Sequence, residues 1–353
     1  MAYYKNPKYE SAFVNLRPLL GNFNWATFLF LIGGAQAGKS YAIVDFFVSQ
    51  FMEHDTPFYW IRLTDAAAKQ LLNNNAEKLI DPDIRRRYNL DIMTSAGNVY
   101  AVRRSAPDKK GNTKILEKKL MARVLSLSTF YKDKGSGYFD KDYKGWYNIG
   151  FDEMQPEKNE RRTFDVTYAF VRQMENLVRN TKTKVRVIGA CNLLEEASDL
   201  LCCFNFIPET FGVYKLKSKR CVIDYIKPSD KYKEMRKDSI AQLLMPNASM
   251  YSNVQNIDKT LVCKKALITP KYVIKFSKER DHWYTVWNDN IVKKYNGEKK
   301  PVIAMTPYID EVFQVEMQKQ IIDIFDTRSF KFRNLITFKQ FQGDLELLKP
   351  RKG

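Results

Sequence analysis

Residues 33–40 read Gly33-Gly34-Ala35-Gln36-Ala37-Gly38-Lys39-Ser40, the pattern GxxxxGK[ST]. They lie between the apolar run Ala26–Ile32 (ATFLFLI) and Tyr41–Glu53, where apolar residues recur at helical spacing. No other feature limits the fold as much. A buried strand, a glycine turn, a helix and, after Pro57, a second strand at Phe58–Leu63 make a βαβ unit. The glycines let the backbone wrap a phosphate chain with its N–H groups aimed inward, and the helix N-terminus adds positive potential. Lys39 then reaches β- and γ-phosphates and the Ser40 hydroxyl ligates Mg²⁺. Gly33 through Ser40 are therefore candidate nucleotide contacts.

Further strands end in residues that suit the same chemistry. Trp146–Phe151 is apolar and stops at Asp152-Glu153. Asp152 is placed to hold Mg²⁺ through water, and Glu153 to orient or deprotonate a water attacking the γ-phosphorus. An Asp-Glu pair also closes many strands as a plain turn. Val185–Asn192 (VRVIGACN) ends in an amide, so Asn192 is a candidate γ-phosphate sensor; an Asn there also caps the segment that follows. The helical pattern Thr163–Arg179 places Arg179 near its C-terminal end, either as a cation supplied to a neighbouring subunit or as a residue that offsets the helix dipole. Arg172, two turns earlier, is the alternative. Residues 127–145 carry Lys132, Lys134, Lys141 and Lys144 among glycines and aromatics, which suits tracking of a phosphodiester backbone. Asp133, Asp140 and Asp142 partly offset that charge, as in an ordinary surface loop.

Strands alternating with helices imply an α/β fold, a mostly parallel sheet with helices on both faces. The pattern divides the chain into a phosphate-loop domain over 1–211, a Lys-dense linker over 212–250 and a small α+β domain over 251–353. In the last, strands are expected at Leu261–Ile268, Lys271–Phe276, His282–Val286 and Val302–Met305, with helices at Val312–Phe325 and Arg333–Phe341. The polar stretch SAPDKKGNTK (105–114) reads as a mobile loop.

Composition narrows the partners. The net charge is +18; residues 1–212 hold 30 basic and 24 acidic side chains, and residues 213–353 hold 28 and 16, so most of the excess lies in the second part. Such a field favours a polyanion. Five cysteines without CxxC spacing and two histidines supply neither a disulfide framework, a zinc site nor a histidine triad. No apolar run reaches the roughly 18–20 residues of a bilayer span, and residues 1–15 do not form a signal peptide, so no membrane is expected and a cytoplasm is.

Taken in this order, the phosphate loop GGAQAGKSYA, the FDE strand end (Phe151–Glu153), the LVRN helix end (Leu177–Asn180), the Asn192-tipped strand and the YxNP-like opening at Tyr4–Pro7 give a specific resemblance over residues 1–210. The chain resembles the DNA-packaging ATPases of tailed phages, and among them the small phi29 type. The resemblance implies a P-loop NTPase of the ASCE type that uses ATP and Mg²⁺. It also implies a homomeric ring, a pentamer, docked in the host cytoplasm on the portal vertex of a procapsid and driving double-stranded DNA inward. Lys39, Ser40, Asp152 and Glu153 would form the ATP site, Asn192 would couple it, Arg179 would act in trans and Lys134 would lie in a DNA-facing loop. A scaffold RNA between ring and portal cannot be read from these residues. The C-terminal part would resemble an RNase H-like nuclease without catalytic acids, since the strand Tyr272–Phe276 brings Lys275 and no carboxylate. Two other readings stay open: a terminase-like ATPase with an active nuclease, and a nucleic-acid-binding assembly protein that uses nucleotide only to form a ring.

Overall fold

The computed structural model describes residues 12–133, 145–154, 164–178, 184–192, 198–208, 210–237, 239–244, 259–276, 282–306 and 311–348. In chain order the elements are α1 (Arg17–Asn22), β1 (Phe28–Ile32), α2 (Lys39–His54), β2 (Phe58–Arg62), α3 (Asp65–Ala76), α4 (Pro82–Arg87), β3 (Asp91–Ser95), β4 (Asn98–Arg104), β5 (Ile115–Ser126), β6 (Trp146–Asp152), α5 (Val166–Val178), β7 (Lys184–Cys191), α6 (Asp199–Cys203), β8 (Gly212–Leu216), β9 (Cys221–Tyr225), α7 (Asp230–Arg236) and α8 (Ile240–Leu244). Then come β10 (Pro270–Phe276), β11 (His282–Trp287), β12 (Ile291–Lys294), β13 (Val302–Met305), α9 (Val312–Asp326), β14 (Lys331–Phe332) and α10 (Leu335–Leu348). The chain forms two compact units. The first holds Met1–Pro156, Tyr168–Leu194 and Pro208–Val254; the second holds Glu157–Thr167, Glu195–Ile207 and Gln255–Gly353.

The first unit is built on a sheet of order β3-β4-β5-β2-β6-β7-β1-β9-β8. From β5 to β9 neighbouring strands run parallel, and antiparallel pairs close both edges. Alternation along β6 explains why helices cover both faces. Phe151 stacks on Phe170 of α5 at 5.7 Å on one side. Gly150 faces the other way, where Trp60 and Phe47 of α2 pack together. A Cβ on Gly150 would lie 2.3 Å from the Trp60 ring. The glycine is thus needed for close packing of α2 on the sheet. Gly150→Ala is expected to lower stability by about 1–3 kcal/mol through overpacking, read as a lower denaturant midpoint with an unchanged slope.

β1 is separated from β6 by β7, so the phosphate-loop strand and the carboxylate strand are not neighbours. Register aligns their ends: Ile32 sits opposite Cys191, Asp152 opposite Ala190, and Ile61 opposite Phe151. The C-terminal ends of β1, β7, β6 and β2 therefore share one edge of the sheet. α2, which begins there, has no side-chain cap and presents its leading N–H groups to that edge.

The second unit has a sheet of order β13-β10-β11-β12-β14, in which β10, β11 and β12 form an antiparallel meander and β13 runs parallel to β10. Its core gathers Phe276, Tyr284, Phe332 and Phe341. Asp344 of α10 is buried there, accepting from the Tyr284 hydroxyl at 2.7 Å and facing His282 Nδ1 at 3.0 Å.

Two expectations are corrected. Within the stretch 212–250, residues Gly212–Tyr225 are no linker: β8 and β9 complete the first sheet, with Phe28–Ile32 paired to Cys221–Tyr225. β9 is only CVIDY, flanked by Lys and Arg, so charge hid a strand that is buried at four of five positions. Leu261–Ile268 makes a 3₁₀ turn (Lys259–Leu261) and one isolated bridge from Val262 to Phe332, with no strand. Residues 105–114 form an exposed loop that joins β4 to β5. Among the described residues no helix is long and apolar enough to cross a membrane, and the five cysteines are free thiols.

Candidate functional site

The phosphate loop needs backbone that most residues avoid. Gln36 and Gly38 have φ of 62° and 77°, the left-handed region that tilts successive N–H groups into a concave nest. A side chain on Gly38 would also meet the Phe13 ring at 3.2 Å. α2 follows directly, and no side chain caps its first turn. Its leading amides thus point at the loop's mouth without an internal acceptor.

Lys39 is buried, and its ammonium donates to Gly33 O at 2.9 Å, Gly34 O at 2.7 Å and Asn192 Oδ1 at 2.9 Å. The amide at the tip of β7 thus touches the phosphate-loop lysine, an arrangement that requires β7 to lie between β1 and β6. Burial pushes the Lys39 pKa down to about 8, against a smaller opposing pull from the Cys191 thiol and Asp152. Below pH about 8 the cost of burying the charge is fully present, and it is relieved as pH climbs toward the ordinary 10.5. Phosphate oxygens favour the ammonium, so nucleotide binding should take up a proton above pH 8. Affinity is expected to fall roughly tenfold per pH unit there and to be flat near pH 7. Calorimetry in two buffers of different ionisation enthalpy at pH 9 measures that proton.

Ser40 Oγ donates to Asp152 Oδ1 at 2.7 Å. A hydroxyl and a carboxylate side by side are the hard oxygen donors Mg²⁺ takes while keeping water and phosphate in its other positions, so these residues fit that ion. Arg62, at the end of β2, donates from Nη1 to Asp152 Oδ2 at 3.1 Å and pairs through Nη2 with Glu153. Arg62 and Asp152 side chains are 12% and 13% exposed, whereas Glu153 is 59% exposed. Glu153 adopts φ of 52°, a conformation that β-strand residues do not share and that turns its carboxylate off the strand end toward Arg62.

A second set of contacts comes from α7. The Tyr232 hydroxyl donates to Ala35 O at 2.6 Å, Arg236 Nη1 binds Gln36 Oε1, and Ala37 packs with Tyr232 and Met235. Arg236 is 5% exposed. The crest of the loop, Ala35 to Ala37, is thus clasped by a helix about 200 residues downstream. A cavity of about 240 Å³ beside it is lined by Phe13, Gly34, Asp224, Ile226 and Tyr232. Arg236→Ala is expected to raise KM for nucleotide by about ten- to a hundredfold, with kcat within a few-fold, because a hydrogen bond to a charged group contributes about 1.5–3 kcal/mol. Steady-state kinetics beside Arg236→Lys separates positioning from charge.

Of the sequence-derived candidates, Gly33 to Ser40, Asp152, Glu153 and Asn192 come together. Lys132 is exposed in a 3₁₀ segment (Leu127–Asp133), with its ammonium 5.9 Å from the Tyr131 ring. Arg179 and Lys134 lie outside the described residues. Arg172, the alternative to Arg179, pairs with Glu175 at 2.9 Å on the exposed side of α5. Sequence reasoning missed Arg62, Tyr232 and Arg236. Arg62 carried one legible signal, a cation ending a buried strand; the other two lay in the supposed linker.

The chain is similar to solved structures of the Phi-28 gp11 DNA packaging motor, at 14% identity over 97% of this chain and 99% of that one with a TM-score of 0.63. It is also similar to the bacteriophage Phi-29 viral genome packaging motor assembly, at 18% identity over 95% and 98% of the two chains with a TM-score of 0.61. No family model and no curated protein matches the sequence. The chain has the fold of these packaging motors, an α/β unit on a large, mostly parallel sheet with a smaller second unit.

Proposed function

We propose that this chain is an ATPase motor that drives double-stranded DNA through a portal into a procapsid, working in the host cytoplasm as a homomeric ring of five subunits. The observation that carries the reading is the meeting of Lys39, Ser40, Asp152, Glu153 and Asn192 at one sheet edge, in a chain with the fold of phage packaging motors.

In this reading the loop amides and Lys39 grip the phosphates, and Ser40 and Asp152 hold Mg²⁺. The ion, when bound, neutralises charge on the phosphates. Lys39 exchanges its bonds to Gly33 and Gly34 for phosphate oxygens while Asn192 stays within reach, so γ-phosphate occupancy is felt at the tip of β7. Glu153 accepts a proton from the attacking water. Arg62 sets the direction of both carboxylates. Arg179 of a neighbouring subunit offsets transition-state charge, and Lys132 and Lys134 face DNA. We further propose that the second unit is nuclease-like without cutting DNA. Supporting this, β10 carries Lys275, whose ammonium lies 4.6 Å from the Trp283 ring, where a two-metal site would need carboxylates.

The test is ATP hydrolysis with and without duplex DNA and empty procapsids, scored together with DNA protected from added nuclease. Hydrolysis coupled to procapsid-dependent protection is expected. Hydrolysis without protection would remove the packaging role, metal-dependent plasmid cleavage would point to an active terminase nuclease, and ring formation without turnover would leave a nucleotide-assembled binder.

A further inference from the structure

The longest strand of the first unit carries a projection that the nucleotide site does not use. β4 and β5 pair from Asn98↔Arg123 to Arg104↔Ile115, and the ladder closes with Ser105 N donating to Lys114 O at 2.8 Å. The turn beyond is internally bonded. Asp108 N donates to Asn112 O at 2.9 Å and Gly111 N to Asp108 O at 2.9 Å. The Asp108 carboxylate accepts from Lys110 N at 2.8 Å and Asn112 N at 2.9 Å, and these backbone bonds hold its pKa below the usual range. Gly111, at φ 79°, supplies the left-handed turn residue. Residues 106–119 are exposed throughout. This is a shaped two-stranded ribbon standing off the domain.

Charge on the ribbon is divided. Along the stem the cations are matched: Arg103 with Glu117 at 3.4 Å, Arg104 with Asp91 at 2.6 Å, and Lys119 with Asp55 at 3.0 Å, while Lys118 lies 3.9 Å from the Tyr100 ring. At the tip Lys109, Lys110 and Lys114 have no ion pair among the described residues. The one acid there, Asp108, is committed to backbone N–H groups. Three cations therefore share one internally bonded turn, with no ion pair among the described residues to neutralise them.

We infer that the tip of this hairpin, Lys109, Lys110 and Lys114, is a contact for the phosphodiester backbone of a nucleic-acid duplex. A two-stranded ribbon is narrow enough to enter a major groove about 12 Å wide, and ammonium groups meet phosphate as point charges. The tip has no arginine to read a guanine edge, so the contact positions the chain without selecting sequence. The inference takes from the proposed function only the class of partner. It is separable from the ATP site in space as well. β5 runs parallel to β2 and reaches the nucleotide edge at its C-terminal end, so the hairpin leaves from the opposite edge, roughly 36 Å away at about 3.3 Å per residue. Duplex RNA carries the same phosphodiester chemistry but a deep, narrow major groove, so DNA is the duplex the ribbon fits, and both belong in the test.

The experiment compares the full chain with the triple variant Lys109→Ala, Lys110→Ala, Lys114→Ala, and with Lys109→Glu, Lys110→Glu, Lys114→Glu. Anisotropy of labelled duplex DNA and of duplex RNA of the same length is followed between about 50 and 200 mM salt, alongside ATP hydrolysis without nucleic acid. The alanine variant is expected to lose up to about 2.7 from the log–log salt slope, equally for any base sequence. The glutamate variant is expected to lose more affinity, and basal hydrolysis should not change in either. Loss on one duplex alone assigns the source. A wild-type slope on both duplexes overturns the inference and leaves the tip as a contact for an acidic protein surface. If the slope falls as expected in a chain that never hydrolyses ATP, the motor reading fails and the hairpin contact stands.

Discussion

Glu153→Gln is expected to bind ATP with nearly wild-type affinity and to lower kcat by about 10²–10⁴, the usual contribution of a positioned general base. The split follows from geometry. Glu153 is 59% exposed and is anchored to Arg62, so solvent and the guanidinium screen its charge and it adds little to ground-state binding. The amide keeps the shape and a bond to the guanidinium but cannot take a proton from water. Nucleotide affinity by equilibrium fluorescence and turnover by phosphate release measure the two halves. Wild-type turnover in this variant would remove Glu153 from the chemistry and leave Asp152 as the remaining carboxylate at the strand end.

Arg62→Ala is expected to have the largest effect on stability. Arg62 and Asp152 are both mostly buried, and the pair is joined at 3.1 Å; removing one partner strands the other charge, at a cost of about 3–5 kcal/mol. The exposed Glu153 arm of the pair adds little to that figure. Thermal unfolding should move down by roughly 4–7 °C for a protein of this size. Mg²⁺ with ADP should restore part of the loss, because a divalent cation replaces the guanidinium beside Asp152. Arg62→Lys should keep most of the stability yet impair turnover, since an ammonium cannot bridge two carboxylates as a planar fork does. The double variant Arg62→Ala, Asp152→Asn should be more stable than the sum of the singles. Strict additivity, or no recovery with Mg²⁺ and ADP, would show that the pair does not govern the edge.

The Arg62 result bears on why some of the site could be read directly and some could not. Lys39 and Ser40 were legible because local sequence fixes local shape: glycines at fixed offsets between a strand and a helix admit few conformations. Asp152, Glu153 and Asn192 were legible as polar residues ending apolar runs, and strand polarity brought them to the same edge. Arg62 also ends a strand, but its task depends on β2 lying beside β6, a pairing of residues 90 apart in sequence. Tyr232 and Arg236 were hidden further, since short elements rich in Lys do not show the periodicity that marks a buried strand or helix. The shape of the hairpin tip comes from one aspartate bonding backbone amides, which polar composition conceals.

The sequence by itself determined the phosphate loop, the alternation of strands and helices and the excess of positive charge, all of which rest on neighbours along the chain. Only the tertiary structure decided that β9 and β8 extend the first sheet, that α7 clasps the loop, and that one arginine ties the two carboxylates together. Those contacts join segments far apart in sequence, and their free energy comes from burial and from charges matched across strands.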